Sequence, residues 1–369
     1  MKRKSNKFLL LILTILLLST YYYFVHYKGY NPFDTINGKS TTTTGETASS
    51  IETSIEVTSY VTSNGDFNIT FCPSQACLNQ YLNVINSART KLDCAVYELD
   101  HPQIQAAIRN KALSIQVRIV TDSDYLKEFN EPYVKTDKSG LMHNKFCLAD
   151  NSTLLAGSAN PTENDMGKNN NNVIVTTSKD LITNYQDEFD EMWSGIFKKG
   201  TPTKTPDLIL GDPTNQNSII KISNYFCPED HCEDHVVAEL NKATSSIDCM
   251  VFSFTSDPIG NALALKHTEN IPIRCIFETR QESEFSEYEK LKYQNLDVHL
   301  DGNKYTMHHK VFIIDNKTVI TGSFNPSAGG NTRNDENIMI IHSKSIATLY
   351  TEEFMEVYGA AIVNETIKE

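Results

Sequence analysis

Two stretches of the chain share one spacing of residues and decide its fold: HNKFCLADNSTLLAGSAN at residues 143–160 and HHKVFIIDNKTVITGSFN at residues 308–325. In each stretch a His and a Lys are separated by one residue, an Asp follows after four more, and Gly-Ser-x-Asn follows after another six. Six fixed positions would match by chance at about one start site in ten million or fewer. Two matches in one chain therefore indicate an inherited motif.

The motif belongs to a longer internal repeat. Phe71-Cys72-Pro73 recurs as Phe226-Cys227-Pro228, an offset of 155 residues, whereas the two motifs are offset by 165 residues. The second copy therefore has ten additional residues, which lie between Pro272 and Tyr305 and are placed to shape the entrance of a site. The two copies span residues 66–198 and 221–363.

Each copy is predicted to be an α/β unit, because short apolar stretches alternate with amphipathic ones. The strands predicted in the first copy are Asp93–Leu99, Gln116–Thr121, Lys145–Leu148, Thr153–Ala156 and Val173–Thr176, and the helices are Leu78–Arg89, Pro102–Ala112 and Asp180–Ile196. This pattern predicts a mixed sheet flanked by helices in each copy. The two similar halves are expected to pack about a pseudo-two-fold axis, with a site at their seam.

The N-terminus is predicted to be a membrane anchor. Residues 1–30 contain four basic residues followed by an apolar run and three tyrosines, which indicates a cytoplasmic basic tail and a transmembrane signal-anchor. The catalytic part would then lie outside the cytoplasm. A cleaved signal peptide followed by secretion is the alternative. Residues 31–65 are predicted to be a Ser/Thr-rich stalk, residues 199–220 a linker and residues 364–369 a tail.

Composition narrows the classes of function. The chain has 369 residues, of which 40% are hydrophobic, so it can form a large core and is not a disordered protein. Its net charge is −13; because residues 1–30 hold five basic and no acidic residues, the rest of the chain carries −18. A general nucleic-acid scaffold with a basic surface is therefore disfavoured.

Four of the eight cysteines occur at equivalent positions of the two copies. In an exported protein, Cys72 with Cys77 and Cys227 with Cys232 suit local disulfides, and free thiols are the alternative. A metal site with His231 and His235 is a further alternative in the second copy, but the first copy has no histidine there. Cys94 and Cys249 lie in apolar strands and are predicted to be core thiols.

With these residues, the chain resembles the phospholipase D superfamily, whose HKD motif has this spacing. The stretch around Gly322-Ser323-Phe324-Asn325 is most similar to the nuclease and cardiolipin-hydrolase branch, here fused as a tandem repeat. The resemblance covers both copies. It implies an enzyme that cleaves phosphodiesters, acting on a phospholipid or on a nucleic acid, and it implies no cofactor.

The chemistry accounts for the residue types. A phosphodiester is an anion, so its site needs cations, and positions i and i+2 of a strand face the same way. His143 with Lys145, and His308 with Lys310, are therefore predicted to point together into one site. The phosphate would be bound by the Gly-Ser-x-Asn turns that start at Gly157 and Gly322, through Ser158, Asn160, Ser323 and Asn325. One imidazole attacks phosphorus to form a phosphohistidine, while the other protonates the leaving oxygen and then activates water, without a metal.

In related two-repeat enzymes an acid from one half contacts the His of the other half. Glu336 aligns with Asn171, so the resemblance implies that Glu336 supports His143 as the nucleophile and that His308 is the general acid. Asn171 departs from the acidic pattern, which leaves the second contact open. Asp150 and Asp315 are predicted to hold loops rather than to touch substrate.

Three functions follow from these features. The first is hydrolysis of a phospholipid head-group phosphodiester, favoured by the membrane anchor and the acidic body. The second is a tethered or exported nuclease, favoured by the sequence near Gly322. The third is an inactive binding module at the cell surface, which the two complete motifs disfavour. No obligate protein partner is expected, because the fused repeat supplies both halves of the site.

Overall fold

A computed structural model describes residues 61–63, 65–210 and 219–368. The predicted transmembrane anchor and nearly all of the predicted stalk lie outside these residues. Among the residues that are described, no helix combines the length and the apolar character needed to cross a bilayer.

Each repeat is built on one mixed sheet. The strands of the described part are β1 (Val61–Ser63), β2 (Phe67–Cys72), β3 (Lys91–Val96), β4 (Gln116–Thr121), β5 (Val134–Thr136), β6 (Lys145–Ala149), β7 (Thr153–Gly157), β8 (Asn171–Thr176), β9 (Asp207–Leu210), β10 (Ile220–Cys227), β11 (Ile247–Val251), β12 (Ile273–Phe277), β13 (Asp297–Leu300), β14 (Lys310–Ile314), β15 (Thr318–Gly322) and β16 (Glu336–His342). The first sheet has the order β2-β8-β7-β6-β3-β4-β5. The second repeats this order as β10-β16-β15-β14-β11-β12-β13 and adds β9 and β1 beside β10. In each sheet two parallel pairs follow the antiparallel strands at one end, and in the second sheet β1 and β9 form a further parallel pair at the other end.

Helices cover both faces of each sheet, so the predicted mixed sheets with flanking helices are confirmed. The helices are α1 (Gln75–Ser87), α2 (Pro102–Ala112), α3 (Glu163–Gly167), α4 (Lys179–Trp193), α5 (Cys232–Leu240), α6 (Asp257–Thr268), α7 (Glu287–Tyr293), α8 (Ala328–Thr332) and α9 (Lys344–Lys368). Serine side chains start several of them: the Ser74 hydroxyl accepts from the amide of Cys77, and the Ser178 hydroxyl accepts from the amide of Leu181.

The two repeats share a central core. Tyr185 and Phe189 of α4 and Tyr350 and Phe354 of α9 are fully buried in one apolar cluster that also takes residues from both sheets. Two further clusters lie on the outer faces of the sheets, where α1 and α2 pack on the first and α5 and α6 on the second. The repeats therefore join through continuous hydrophobic packing, which fixes the seam between them.

Three predicted segments differ from the structure. The linker at 199–220 contains strand β9, which pairs with β10 and with β1, and β1 occupies the end of the predicted stalk. Helix α9 continues to Lys368, through most of the predicted tail. The additional residues of the second repeat fall in a region that contains α7, which has no counterpart in the first repeat.

All eight cysteines, which lie within the described residues, form disulfides. Cys72 is bonded to Cys77, and Cys227 to Cys232, so the thiolates that the metal alternative needs are absent. The prediction of core thiols at Cys94 and Cys249 is wrong. Cys94 is bonded to Cys147 and Cys249 to Cys275, because each pair is directly opposite in neighbouring strands with Cα atoms 4.1 and 4.4 Å apart.

Candidate active site

Backbone contacts across the seam hold the two motif histidines in place. The amide of His143 donates to the carbonyl of Asp335 at 3.0 Å, and the amide of His308 donates to the carbonyl of Asn170 at 2.9 Å. In each case the carbonyl belongs to the residue just before a strand of the opposite repeat, β16 for His143 and β8 for His308. The first residue of that strand faces the histidine ring. The contacts are reciprocal, as expected for a pseudo-two-fold arrangement.

A cleft of about 850 Å³ opens at this seam, and both histidines line it. Amides and hydroxyls dominate its walls, together with three aromatic rings, two arginines and two acids. These residues include Tyr97, Glu98, Tyr125, Asn160, Asn164, Asp165, Asn169, Phe252, Ser253, Thr255, Arg280, Thr306, Asn325, Ser327, Arg333 and Asn334. The cleft thus offers many hydrogen-bonding groups to a polar or ionic ligand.

His143 is held by a carboxylate from the other repeat. Its Nδ1 is 2.7 Å from Oε2 of Glu336, a fully buried residue at the start of β16. The ring of Tyr97 contacts the imidazole edge-on, with centroids 4.8 Å apart. With Nδ1 engaged as a donor to the carboxylate, Nε2 keeps its lone pair for a reacting atom.

His308 has a different partner. Its Nδ1 is 2.9 Å from Oδ1 of Asn171, which comes from the first repeat, and 3.6 Å from Oδ2 of Asp165. Phe252 replaces the tyrosine, with centroids 4.7 Å from the imidazole. The two histidines are thus equivalent in position but not in the charge beside Nδ1.

Each motif lysine contacts the backbone of the histidine two residues before it. Nζ of Lys145 donates to the carbonyl of His143 at 2.6 Å, and Nζ of Lys310 donates to the carbonyl of His308 at 2.7 Å. Both ammonium groups are almost fully buried. Because an ammonium has three donors, each lysine keeps donors for an anion.

Burial lowers the pKa of all four groups. Desolvation lowers the pKa of His143 to about 4, although Glu336 acts in the opposite direction. Burial, then Lys310 and Lys145, lower the pKa of His308 well below its usual range. Burial likewise lowers the pKa of Lys145 to about 8, and burial with the neighbouring Lys145 lowers the pKa of Lys310. A bound phosphate would offset these effects, so the site is built for an anion.

The two serines of the motif make hydrogen bonds within their own repeats. The hydroxyl of Ser158 donates to Oδ1 of Asn171 and accepts from the amide of Asn172, and Ser323 accepts from the amide of Asn337. Both serines are fully buried and do not line the cleft. They brace the strands that begin at Asn171 and Glu336, and their role as phosphate ligands stays a prediction. Asn160 and Asn325 do line the cleft.

Both motif glycines have a structural requirement. Gly157 and Gly322 have φ of 148° and 146°, and a Cβ atom would come within 2.3 Å of the carbonyl oxygen of Asn172 or Asn337. Only glycine therefore allows the turn to approach the neighbouring strand.

The motif aspartates lie away from the cleft. Asp150 accepts hydrogen bonds from the amides of Arg89, Thr90 and Lys91, and these contacts outweigh burial and lower its pKa to about 2. Asp315 accepts from the equivalent stretch, 244–246. Each aspartate ties the hairpin of its motif to the chain that precedes the sheet's central strand.

Several cleft residues escaped the sequence reasoning. Tyr97 and Phe252 end the repeated stretches Leu92–Tyr97 and Ile247–Phe252, so alignment of the copies with the motif could have found them. Arg280 lies in the region of the second copy that holds the additional residues. Asp165 aligns with Gly330, a difference between the copies that carries no signal by itself.

Two groups of acids in the described residues are close enough to share a cation: Glu98 with Asp100 and Glu128, and Glu188 with Glu191 and Glu229. Glu98 lies in the cleft wall, where burial and then Glu128 raise its pKa to about 7. Lys145 and Lys310, which contact the carbonyls of the two motif histidines, would repel a divalent cation when charged.

This geometry agrees with the comparison to known proteins. The model of the family described as cardiolipin synthase, PLD-like domain, matches residues 81–193 and 236–358. The chain belongs to the phospholipase D superfamily. It is a tandem-repeat member and a phosphodiester hydrolase of that superfamily.

Individual relatives match about one repeat in length. A phospholipase D of Rickettsia conorii is 31% identical over 136 residues, which are 37% of this chain and 68% of that protein. A mitochondrial cardiolipin hydrolase of Chlamydomonas reinhardtii is 28% identical over 137 residues, 35% of this chain and 61% of that protein. The phosphatidylserine synthase structure of Haemophilus influenzae matches with a TM-score of 0.56 at 13% identity and covers 79% of this chain and 85% of that one. At that identity the last match shows the fold alone.

Proposed function

We propose that the protein hydrolyses a phospholipid head-group phosphodiester through a phosphohistidine on His143, without a metal ion. The observation that carries the proposal is the contact between His143 Nδ1 and Glu336 Oε2 at 2.7 Å, beside a second histidine in the same cleft. A carboxylate on Nδ1 fixes the tautomer and supports the positive charge that forms when Nε2 attacks.

The first step forms one bond and breaks one. Nε2 of His143 attacks phosphorus, and the bond from phosphorus to the leaving oxygen breaks as that oxygen takes a proton from His308. Lys145 and Lys310 stabilise the charge on the non-bridging oxygens. The pKa of His308 is low in the empty site, so we expect it to be protonated only when the anionic substrate is bound.

The second step releases the enzyme. His308, now neutral, takes a proton from water, and the oxygen of that water attacks phosphorus as the bond to His143 breaks. A phosphomonoester leaves, and both imidazoles return to their starting state. No step requires a metal ion, because the two lysines supply the positive charge.

Two observations support a lipid substrate. Relatives over one repeat are named phospholipase D and cardiolipin hydrolase. The chain beyond residue 30 carries a net charge of −18, which disfavours long polyanions more than a single head group.

We also infer a location outside the cytoplasm. The four disulfides support this, since such bonds persist in oxidising compartments.

A nuclease is the second candidate, because the cleft combines Arg280 and Arg333 with the rings of Tyr97 and Tyr125. Arginines bind phosphates and aromatic rings stack on bases, so a short single strand would be accommodated.

A side-by-side assay separates the two candidates. The purified full chain is incubated in EDTA with phosphatidylcholine vesicles, cardiolipin vesicles, single-stranded DNA and RNA, with His143→Ala as the control. Phosphatidic acid released by the wild type alone supports the lipid proposal. Cleaved nucleic acid without lipid turnover would replace it with the nuclease, and loss of all turnover in EDTA would overturn metal independence.

Trapping tests the covalent step. An aryl phosphodiester with ³²P at phosphorus, whose phenolate leaves without a proton from His308, is mixed with the enzyme and quenched in alkali, in which phosphohistidine survives. Label is expected on the wild type and on His308→Ala, and not on His143→Ala. Label retained by His143→Ala and lost from His308→Ala would reverse the two roles.

A further inference from the structure

His308 lacks the carboxylate that His143 has. At the aligned position the second repeat offers Glu336 to His143, whereas the first repeat offers the amide of Asn171 to His308. A neutral amide fixes the imidazole but does not stabilise its charge. An acid that must hold a proton in a site with two lysines needs a negative charge nearby.

Asp165 supplies a carboxylate at this point. Its Oδ2 lies 3.6 Å from Nδ1 of His308, and its side chain is 4% exposed. The amide of Asn160 donates to the same oxygen at 2.7 Å, and Nδ2 of Asn169 donates to Oδ1 at 2.7 Å. The carboxylate is therefore held in place beside the ring by donors of its own repeat.

The second repeat has the reverse arrangement. Gly330 occupies the position of Asp165, and a Cβ atom there would come within 2.3 Å of the carbonyl of Asn325, so no side chain fits. Each imidazole thus has one carboxylate near Nδ1. For His143 it is Glu336, at the start of β16; for His308 it is Asp165, in helix α3. Two carboxylates around one ring would repel each other.

We infer that Asp165 is the positioning residue that supports His308 as the general acid, in place of the carboxylate that position 171 lacks. The inference rests on the proposed role of His308. Asp165 acts through the imidazole of His308, from the wall of the same cleft.

Charged groups from every side act on His308. Lys310 and His309 come from its own stretch of chain, and Lys145 and His143 come from the first repeat; all four lower its pKa. Asp165 is the nearest acid on the short helix packed against the ring. Arg280 and Glu98 line the walls of the same cleft.

The protonation of His308 can be measured without turnover. The full chain, labelled with ¹³C at histidine Cε1, is titrated by NMR while saturated with dimethyl phosphate, whose single charge does not change with pH. The His308→Gln variant assigns the signal. Asp165→Asn is expected to lower the pKa of His308 by about one pH unit, since an opposite charge within about 4 Å has gone. Glu163→Gln, a change in an exposed neighbour on the same helix, is expected to leave it unchanged.

A variant cycle moves the carboxylate. Asn171→Asp places it at the aligned position, 2.9 Å from the ring, and the double variant Asp165→Asn with Asn171→Asp keeps one carboxylate beside His308. We expect the double variant to recover the wild-type pKa within about half a pH unit. If Asp165→Asn does not fold, a second uncharged substitution, Asp165→Ser, replaces it in the comparison with the wild type, and an unchanged pKa of His308 in that variant overturns the inference equally.

Activity provides the second readout. Asp165→Asn is expected to lower kcat about tenfold near neutral pH and less at acid pH, because the proton is then restored by the solvent. A purely structural role would lower kcat equally at every pH. An unchanged pKa of His308 in Asp165→Asn overturns the inference whatever happens to kcat, and the NMR result stands even if the proposed lipid substrate is wrong.

Discussion

Lys145 links the chemistry of the site to pH. Its pKa of about 8 is below the usual 10.5, because burial disfavours the charged ammonium. Above pH 8 the group loses its proton, whereas a phosphodiester keeps its single charge, so binding weakens as pH rises. We predict that kcat/KM falls up to about tenfold per pH unit above pH 8, since kcat/KM reports the free enzyme.

The measurement is a pH–rate profile with a soluble aryl phosphodiester. Lys145→Met removes the charge at all pH values, so its kcat/KM is expected to be low throughout and to lose most of the alkaline decline, with Lys310 accounting for the rest. A wild-type profile that stays flat to pH 10 would contradict the assignment.

At the scale of single residues, the sequence predicted the direction of a side chain only where strand periodicity applies. His143 and Lys145 are two residues apart at the start of a strand; the ring of His143 lines the cleft, and Nζ of Lys145 donates to the carbonyl of His143. Ser158 follows a glycine with positive φ, where that alternation ends. Its hydroxyl therefore turns toward Asn171, which no spacing in the sequence indicates.

Gly322, the last residue of β15, allows the chain to pass close to the backbone of β16. Because a Cβ atom would come within 2.3 Å of the carbonyl of Asn337 and φ is 146°, Gly322→Ala is expected to lower the free energy of unfolding by about 2–4 kcal/mol. Gly359→Ala is the matched control. Gly359 is exposed in α9 with open space around it, so this change is expected to stabilise the protein by about 0.5–1 kcal/mol. Urea denaturation measures both, and equal effects would contradict the argument.

The disulfides differ in the length of chain that they close. Cys94 and Cys147 are 53 residues apart, whereas Cys72 and Cys77 are five apart. On the chain-entropy account, replacing the first pair by alanine costs about 4 kcal/mol of unfolding free energy and replacing the second about 2 kcal/mol. Denaturant titration of the two double variants tests this order. A larger loss for the Cys72–Cys77 pair would contradict it.

At the scale of elements, strands with a clear apolar pattern were predictable and their partners were not. The five strands predicted in the first repeat were found, yet Cys94 pairs with the antiparallel neighbour β6, and in the second repeat Cys249 pairs with the parallel neighbour β12. Cys147 and Cys275 are not at equivalent positions of the repeats, so self-comparison could not link them. Strand β9 was not predicted, because it is short and follows a Pro- and Thr-rich stretch.

The whole molecule forms one site from two unequal halves. Each repeat supplies a histidine and a lysine, and each holds the histidine of the other through the backbone at the seam. The seam is also closed by buried amides: Nδ2 of Asn337 donates to Oδ1 of Asn144 at 2.7 Å. Because a buried amide without its partner costs about 1–3 kcal/mol, these contacts favour one register of the repeats.

This architecture predicts that one chain is sufficient for one site. A chain with His143→Ala lacks the nucleophile, and a chain with His308→Ala lacks the general acid. Both histidines of a site lie at the seam within one chain, so neither variant can take the missing imidazole from the other. Mixtures of the two variants, unfolded and refolded together, are therefore expected to remain inactive. Recovery of about a quarter of wild-type activity would instead mean that repeats exchange between chains.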